Sequence, residues 1–143
     1  MEKNSSMVII TEEPISPEAI VNQAKTSSSG CVVTYVGLIR ETSQGKQVFS
    51  VEYRDPEGLA TSRLKQIAGE AKRNWPVNNL IICHRIGKLK VGDINLVVAV
   101  ASAHRREGLA ACEYVINRFK ERLPTHKIET YQDGSTYSQG WEN

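Results

Sequence analysis

Two apolar runs constrain the fold more than any other feature of the chain. Residues 31–39 form a β-branched run between Gly30 and Arg40, which predicts a strand buried on both faces. Residues 94–101 are the most apolar stretch, so we expect them at the centre of a sheet. Strands of this kind need helices or a second sheet to cover them.

Three helices are predicted to supply that cover. The triplet Ser-Pro-Glu at residues 16–18 offers an N-cap, a first-turn proline and a first-turn acid for a helix over residues 17–25. A second helix should begin near residues 55–58 and end before Pro76. A third should run from residue 104 or 105 to residue 121. Its apolar stripe is formed by Leu109, Cys112, Ile116 and Phe119.

The other elements are short strands and turns. Strands are predicted at residues 7–11, 47–53, 80–86, 125–131 and 136–138, with a turn over residues 87–93 and a hairpin at Asp133-Gly134. We expect residues 31–39 and 47–53 to pair antiparallel around an exposed, mobile loop at residues 40–46. The order β-α-β-β-α-β-β-α-β-β predicts an α+β fold with a mixed, largely antiparallel sheet.

Length and composition favour one globular domain. We expect residues 1–143 to form that single domain, with residues 1–6 disordered and residues 139–143 as a tail. The three cysteines are isolated in apolar sequence, which is typical of buried thiols in a reducing compartment. The N-terminus lacks a signal sequence and no apolar run reaches the ~20 residues of a membrane span. A cytoplasmic location without membrane association is therefore predicted.

Charge is unevenly distributed along the chain. The formal net charge is only +2, which argues against a protein that binds nucleic acid through bulk positive charge. Residues 104–127, however, hold six Arg and Lys against three Glu, a net charge of +3, whereas residues 1–30 hold two Lys against four Glu. This concentration of positive charge predicts a local anion site.

The sequence contains no motif for metal binding or nucleophilic catalysis. The three histidines have no cysteine or carboxylate at ligand spacing, and no serine-hydrolase elbow, zinc-protease helix, Walker or dinucleotide motif is present. We therefore expect no metal and no cofactor. His84 lies inside an apolar strand, and a core histidine with satisfied hydrogen bonds is its favoured interpretation.

The cationic candidates each have a plainer alternative. At residues 102–106 an apolar strand gives way to a helix, so His104, Arg105 and free backbone N–H groups could converge on phosphate or carboxylate. Alternatively, the arginines there only solvate a helix start. Lys120 and Lys127 could be ordinary surface lysines, favourable near a helix C-terminus. Arg40 follows a strand and could reach a cleft or point into water.

Taken together, the motifs resemble a known family. The motifs are residues 33–37 followed by Arg40, residues 74–76, 84–87, 92–93 and 102–105, and finally Lys120, Pro124 and Lys127. In their order and spacing they resemble the large, catalytic subunit of molybdopterin synthase. The resemblance implies an α/β hammerhead-type fold with a small additional β subdomain. It also implies a homodimer that forms a heterotetramer with two copies of a small ubiquitin-like sulfur-carrier subunit.

The same resemblance implies an activity and a site. The family is a sulfurtransferase of molybdenum cofactor biosynthesis. It moves two sulfurs from the thiocarboxylate that ends the carrier's Gly-Gly tail to cyclic pyranopterin monophosphate, making the dithiolene of molybdopterin. Lys120 and Lys127 match the family's catalytic lysines, and Lys120 matches the lysine beside the carrier's tail. Arg40, His104 and Arg105 match its substrate-binding cations.

Two points qualify this assignment. An aromatic residue often precedes the second lysine in the family, whereas Thr125 and His126 stand before Lys127 here. In addition, sixteen helical steps place His104 and Lys120 roughly 24 Å apart. We therefore hypothesise that the site is shared between the two subunits of a dimer.

Two other functions stay open from the sequence. A phosphate- or nucleic-acid-binding module would use the same basic segment, but it needs stacking aromatics, and the segment offers only Tyr114 and Phe119. An inactive scaffold could merely dock the carrier, although both lysines are present. Trp75 and Trp141 are interpreted as packing residues.

Overall fold

The computed structural model describes residues 5–140. Its helices are α1 (Pro17–Ala24), α2 (Ala60–Asn74) and α3 (Arg105–Glu121), close to the predicted bounds. Its strands are β1 (Ser5–Thr11), β2 (Cys31–Leu38), β3 (Thr42–Ser43), β4 (Lys46–Arg54), β5 (Asn79–Arg85), β6 (Gly87–Leu89), β7 (Ile94–Ser102), β8 (His126–Tyr131) and β9 (Thr136–Gln139). Ser5 and Ser6, predicted to be disordered, are paired in β1. Trp141 lies outside the described residues.

The first sheet has the order β1-β5-β7-β2. The β1–β5 pair is parallel and the β5–β7 and β2–β7 pairs are antiparallel, so the prediction of an α+β fold with a mixed sheet is confirmed. The most apolar strand, β7, is flanked on both sides, and its residues from 97 to 101 are fully buried. Its central position is the one predicted.

The predicted pairing of residues 31–39 with residues 47–53 is wrong. β2 belongs to the first sheet, whereas β4 pairs with β3, β6 and β8 in a second one. The chain reverses at Gln44 and Gly45, whose φ angles of 55° and 73° suit a two-residue hairpin turn. This hairpin occupies the segment predicted as a mobile loop, and it leads β4 away from β2.

β2 is also less buried than predicted. Among the described residues it pairs only with β7, which leaves it at an edge of the first sheet. Val36 and Leu38 are 38% and 56% exposed. Burial on both faces requires a covering layer on each face, and these two exposed side chains show that the sheet is left partly uncovered near the end of β2.

The second sheet has the order β3-β4-β8-β9, with β6 also paired to β4. The segment 87–93, predicted as a plain turn, contains β6, which pairs antiparallel with β4. Gly87 and Gly92 take positive φ angles in this segment. Val51 and Leu89 face each other in the resulting β4–β6 ladder. A second sheet agrees with the implied β subdomain, and the hammerhead description itself stays a prediction.

Helices cover both faces of the first sheet. α2 and α3 pack with Leu80, Ile82, Val98 and Val100 in the larger core. α1 packs with Ile81, Cys83, Val97 and Ala99 on the opposite face. Successive side chains of β5 and β7 thus alternate between two buried faces, which explains why both strands are almost continuously apolar.

The apolar stripe of α3 differs in one position from the prediction. Leu109 is 54% exposed, and Gly108 is buried in its place. A Cβ atom on Gly108 would lie 2.6 Å from Ser102 Oγ, so the start of α3 sits too close to β7 for a larger side chain. Cys83 and Cys112 are buried as predicted, while Cys31 is only partly buried.

Candidate active site

One group of candidate cations lies at the start of α3. His104 is the N-cap residue, and the Ser102 hydroxyl donates a 2.7 Å hydrogen bond to its carbonyl oxygen. The backbone N–H of Gly30 donates to the Ser102 carbonyl at 2.9 Å, and a Cβ on Gly30 would meet the Ala103 carbonyl at 2.4 Å. This close packing shapes a surface cleft of about 810 Å³ lined by His104 and Arg105.

A second group lies around a smaller cleft between the two sheets. Arg40, Lys120 and Lys127 all line this space of about 160 Å³. Arg40 follows the end of β2, Lys120 lies in the last turn of α3, and Lys127 lies near the start of β8. The end of β2 and the α3–β8 segment, which are distant in sequence, therefore bring three cations to one cleft.

The end of α3 is fixed against α2 by a network around Glu70. The Arg122 guanidinium donates to both oxygens of the Glu70 carboxylate, at 2.6 and 3.3 Å, and the Tyr114 hydroxyl donates to it at 2.7 Å. The hydrogen bonds from Arg122 lower the pKa of Glu70 to about 2. Arg118 pairs with Glu121 on the helix surface. These two arginines therefore stabilise α3 and its packing against α2, and they do not line the cleft.

Phe119 and His84 support the wall beside Lys120. The Phe119 ring is buried and meets the His84 ring edge-on, with centroids 5.0 Å apart. His84 Nδ1–H donates to the carbonyl oxygen of Asn95 at 2.9 Å, because that oxygen can only accept. His84 Nε2 then accepts from the Thr125 hydroxyl at 3.1 Å. Burial lowers the pKa of His84 to about 4, so the ring is neutral.

This network assigns a role to Thr125, one of the two residues that stand directly before Lys127. Thr125 is 1% exposed and its hydroxyl supplies the hydrogen bond that His84 Nε2 needs. His126 is exposed, with its ring close over Gly140. The favoured interpretation of His84 as a satisfied core histidine is confirmed, and the turn that leads to Lys127 is anchored through it.

Lys127 is oriented by a buried carboxylate. Its Nζ lies 3.3 Å from Glu129 Oε2, and Glu129 is only 5% exposed. Burial opposes ionisation of Glu129, but the net effect of its surroundings is to lower its pKa. The carboxylate accepts hydrogen bonds from the Tyr131 hydroxyl at 2.6 Å and the Ser43 hydroxyl at 2.8 Å, and the charge of Lys127 also favours its ionised form. The carboxylate is thus charged and holds the ammonium group at the cleft.

The other candidate cations lack such partners. Within residues 5–140, no carboxylate lies within 4.0 Å of the charged groups of Arg40, Lys120, His104 or Arg105. A cation without a carboxylate partner keeps its full attraction for an external anion. The charge asymmetry of the sequence therefore corresponds to two anion-attracting clefts in the fold.

The five predicted site residues thus fall into two groups within one chain. Arg40, Lys120 and Lys127 line the smaller cleft, which we call the lysine cleft; His104 and Arg105 line the other, near the opposite end of α3. The sequence prediction missed Tyr53, Asn95 and Glu129, which also line the lysine cleft. Glu129 could have been found, because alternate residues of a strand share a face and it stands two positions after Lys127.

Several other sequence predictions concern features away from the clefts. Across residues 5–140, no group of three or more His, Cys, Asp and Glu side chains is placed to hold a metal ion. No helix in that part of the chain is long and apolar enough to cross a membrane. Phe119 is buried, and the Arg118 guanidinium lies over the Tyr114 ring at 4.6 Å. Burial of Phe119 and the Arg118 contact on Tyr114 both disfavour stacking on a base.

Comparisons with known proteins agree with the resemblance. A family model described as "MoaE protein" matches residues 10–122. Proteins named molybdopterin synthase catalytic subunit from a Nostoc species and from Bacillus subtilis are 43% and 36% identical to the chain. Each match spans 128 residues, covering 89% and 90% of this chain and 78% and 82% of the relatives.

Solved structures give the same result. The crystal structure of molybdopterin synthase from Staphylococcus aureus superposes with a TM-score of 0.81 at 35% identity, covering 98% of this chain and 99% of that one. The match includes α3 and both sheets, so the elements that form the two clefts are shared in their overall arrangement. Sequence and structure lead to one assignment: the chain belongs to the MoaE family, whose members named here are catalytic subunits of the enzyme molybdopterin synthase.

Proposed function

We propose that this chain is the catalytic subunit of a molybdopterin synthase and acts as a sulfurtransferase. It transfers two sulfurs, one after the other, from the C-terminal thiocarboxylate of a small ubiquitin-like carrier to cyclic pyranopterin monophosphate. The observation that carries the proposal is the lysine cleft, where Arg40 and Lys120, which have no carboxylate partner among residues 5–140, meet Lys127. Both reactants are anionic, one through its cyclic phosphate and the other through its thiocarboxylate, so both are attracted to these cations.

The size of the cleft supports a thin protein tail as the sulfur donor. A space of about 160 Å³ is too narrow for a folded loop with large side chains. A Gly-Gly tail has no side chains and can enter a narrow space with its terminal group first. The name "catalytic subunit" of the relatives also implies a second subunit. We therefore propose a carrier of this type as the partner.

Lys120 and Lys127 are proposed as the catalytic residues. An ammonium group can stabilise negative charge that develops on an acyl or phosphate oxygen and can move a proton to a leaving group. An amine can also form a transient covalent bond with an acyl group. Glu129 holds Lys127 in place, whereas Lys120 projects from the helix end with no carboxylate nearby among the described residues.

His104 and Arg105 are proposed to bind substrate in the site of the partner subunit. They line a cleft separate from the lysine cleft of their own chain, near the other end of a 17-residue helix. A homodimer that places the His104 cleft of one subunit against the lysine cleft of the other would complete the site twice. With two carriers, such an assembly is a heterotetramer.

The shared site has a direct test. Mixed dimers are prepared from a Lys120→Ala chain and a His104→Ala chain, each inactive by itself. If the site is shared, half of the sites in such a dimer contain both native residues, and activity recovers well above that of either parent. Activity no higher than that of the parents would show that each chain completes its own site.

The compartment and the cofactor requirement are part of the proposal. We propose a cytoplasmic enzyme, supported by the free thiols of Cys31, Cys83 and Cys112. We also propose that the chain needs no cofactor or metal of its own, because the carrier brings the sulfur and the lysines supply the charge.

The decisive experiment combines the chain with a thiocarboxylated carrier and cyclic pyranopterin monophosphate, and measures the dithiolene product. We expect product with the native chain and a large loss with Lys120→Ala. Lys65→Ala, on the exposed face of α2, is the matched control and should retain activity. A native chain that binds the carrier but makes no product would instead be a docking scaffold.

A further inference from the structure

Tyr53 is a buried hydroxyl group at the lysine cleft that the sequence did not indicate. It lies in β4 and is 4% exposed. Its side chain lines the lysine cleft, and it also lines an adjoining cavity of about 170 Å³ that is bounded by the same two lysines. Tyr53 therefore borders the space that Lys120 and Lys127 also line, although most of the residue is buried.

Neighbouring groups fix the Tyr53 side chain. Asn95 Nδ2 donates a 3.0 Å hydrogen bond to the Tyr53 hydroxyl oxygen. The carbonyl oxygen of the same Asn95 accepts from His84, and the His84 ring meets the Tyr53 ring edge-on at 4.8 Å. Asn95 thus uses its side chain and its backbone to hold both rings in one arrangement.

This arrangement leaves the Tyr53 proton free to be donated. Asn95 engages the hydroxyl oxygen as an acceptor, and nothing within residues 5–140 accepts the hydroxyl hydrogen. A buried hydroxyl normally finds an acceptor, so an acceptor from outside the chain would satisfy it. Burial raises the pKa of Tyr53 to about 12. The charge of Glu129 adds to this effect, and the Asn95 hydrogen bond opposes it. The group therefore keeps its proton near neutral pH.

We propose that Tyr53 is a third catalytic group, which donates a hydrogen bond to the acyl oxygen of the sulfur donor between the two lysines. This inference rests on the proposed function. When the donor's sulfur bonds to the pterin carbon, the carrier and the pterin become joined as a thioester. Water must then release the carrier, and it is in this step that the acyl oxygen becomes an anion.

The release step balances without any further reactant. Water forms a C–O bond to the acyl carbon, and the carbonyl electron pair moves to the oxygen, where Tyr53 and the lysine ammonium groups stabilise it. When the pair returns, the C–S bond breaks and sulfur stays on the pterin as a thiolate. The two protons of water pass to basic groups or solvent, and the carrier ends as a carboxylate. Tyr53 keeps its own proton throughout.

The test compares Tyr53→Phe with the native chain in single-turnover reactions with thiocarboxylated carrier and cyclic pyranopterin monophosphate. Phenylalanine keeps the ring and its contact with His84 and removes only the hydroxyl group. We expect product formation to slow about 100-fold, the size of effect known for one donor to a developing oxyanion. The carrier–pterin thioester should accumulate, as seen by mass spectrometry. Tyr137→Phe, in the exposed strand β9, is the control and should behave as the native chain.

Carrier affinity and thermal unfolding are measured on the same proteins. Unchanged affinity and folding with a slow release step support the proposal. A native rate for Tyr53→Phe, or a loss explained by weaker carrier binding, overturns it. If Tyr53→Phe does not fold, Asn95→Asp is tested instead. The new carboxylate would accept the hydrogen bond from the Tyr53 hydroxyl, so the thioester should accumulate in the same way. A native rate of product formation by Asn95→Asp also overturns the proposal.

The proposed function and this inference fail in different ways. A native chain that binds the carrier and forms neither thioester nor product overturns the proposed function, and the role of Tyr53 with it. A native chain that forms product while Tyr53→Phe matches it overturns only the role of Tyr53.

Discussion

The buried histidine under the lysine cleft should make the stability of the fold depend on pH. His84 is fully buried, and its pKa is lowered by burial from about 6.5 to about 4. The folded chain therefore keeps the ring neutral at a pH at which the unfolded chain already binds a proton. The stability that this neutral ring provides is complete above about pH 6.5 and is lost as the pH falls toward 4.

The size of the effect follows from the two pKa values. Between pH 7 and pH 5, the unfolded chain takes up about 0.7 proton at His84 and the folded chain almost none. The linkage relation gives a loss of about 2 kcal/mol in the free energy of unfolding over this interval. Glu70, Glu129 and Asp133 also have lowered pKa values, but their contribution is lost mainly below pH 5. The interval from pH 7 to pH 5 therefore isolates the histidine.

Urea unfolding at pH 7, 6 and 5, followed by far-ultraviolet circular dichroism, measures this loss. His84→Asn keeps a donor for the carbonyl oxygen of Asn95 and cannot titrate. We expect this variant to be less stable at pH 7 but to change by less than about 0.5 kcal/mol between pH 7 and pH 5. His126→Asn removes an exposed histidine and should keep the slope of the native chain. A native chain with no loss, or a His84→Asn chain with the full loss, would refute the reasoning.

The remaining predictions concern close packing and a single hydrogen bond. Gly30→Ala brings a Cβ into steric conflict with the Ala103 carbonyl, so we expect a lower melting temperature and weaker anion binding at the start of α3. Gly69→Ala is the control: the nearest atom to its new Cβ lies at 3.5 Å, and the substitution should stabilise α2 by roughly 0.5–1 kcal/mol. Thr125→Val leaves His84 Nε2 without a donor and should cost about 1–3 kcal/mol in urea unfolding, whereas Thr125→Ser should cost far less. A Thr125→Val chain as stable as the native one would contradict the assigned hydrogen bond.

Local signals in the sequence were sufficient for the helices. The Ser16 cap is present, and its side chain accepts the Ala19 N–H as the pattern predicts. α2 ends at Asn74, before Pro76, and α3 begins at Arg105. Caps, prolines and a 3.6-residue period act within a few residues of each other, so the chain carries this information locally. Leu109 was misplaced because the close contact of Gly108 with Ser102 involves two separate elements.

Strand partners could not be obtained in the same way. β2 and β4 are neighbours in sequence and were expected to pair, yet β2 pairs with β7 and β4 with β8. Pairing depends on which apolar faces meet across long stretches of chain, and a hairpin at Gln44 and Gly45 was enough to redirect β4. The alternation of a strand predicts its faces but not its neighbour.

The site shows the same division. By itself, the sequence determined which side chains can attract an anion: Arg40, and also His104, Arg105, Lys120 and Lys127, which lie in a basic segment of an otherwise nearly neutral chain. Charge and side-chain chemistry are properties of single residues and are readable without a fold.

Only the tertiary structure decided how these residues are grouped. It brought Arg40 to the two lysines, left His104 and Arg105 in a separate cleft, and placed Glu129 and Tyr53 beside the lysines. It also neutralised Arg122 through Glu70. The reason is physical: the distance between charges and the burial of a hydroxyl or a carboxylate depend on contacts between β4, β8 and α3, and these contacts exist only once the two sheets have packed together.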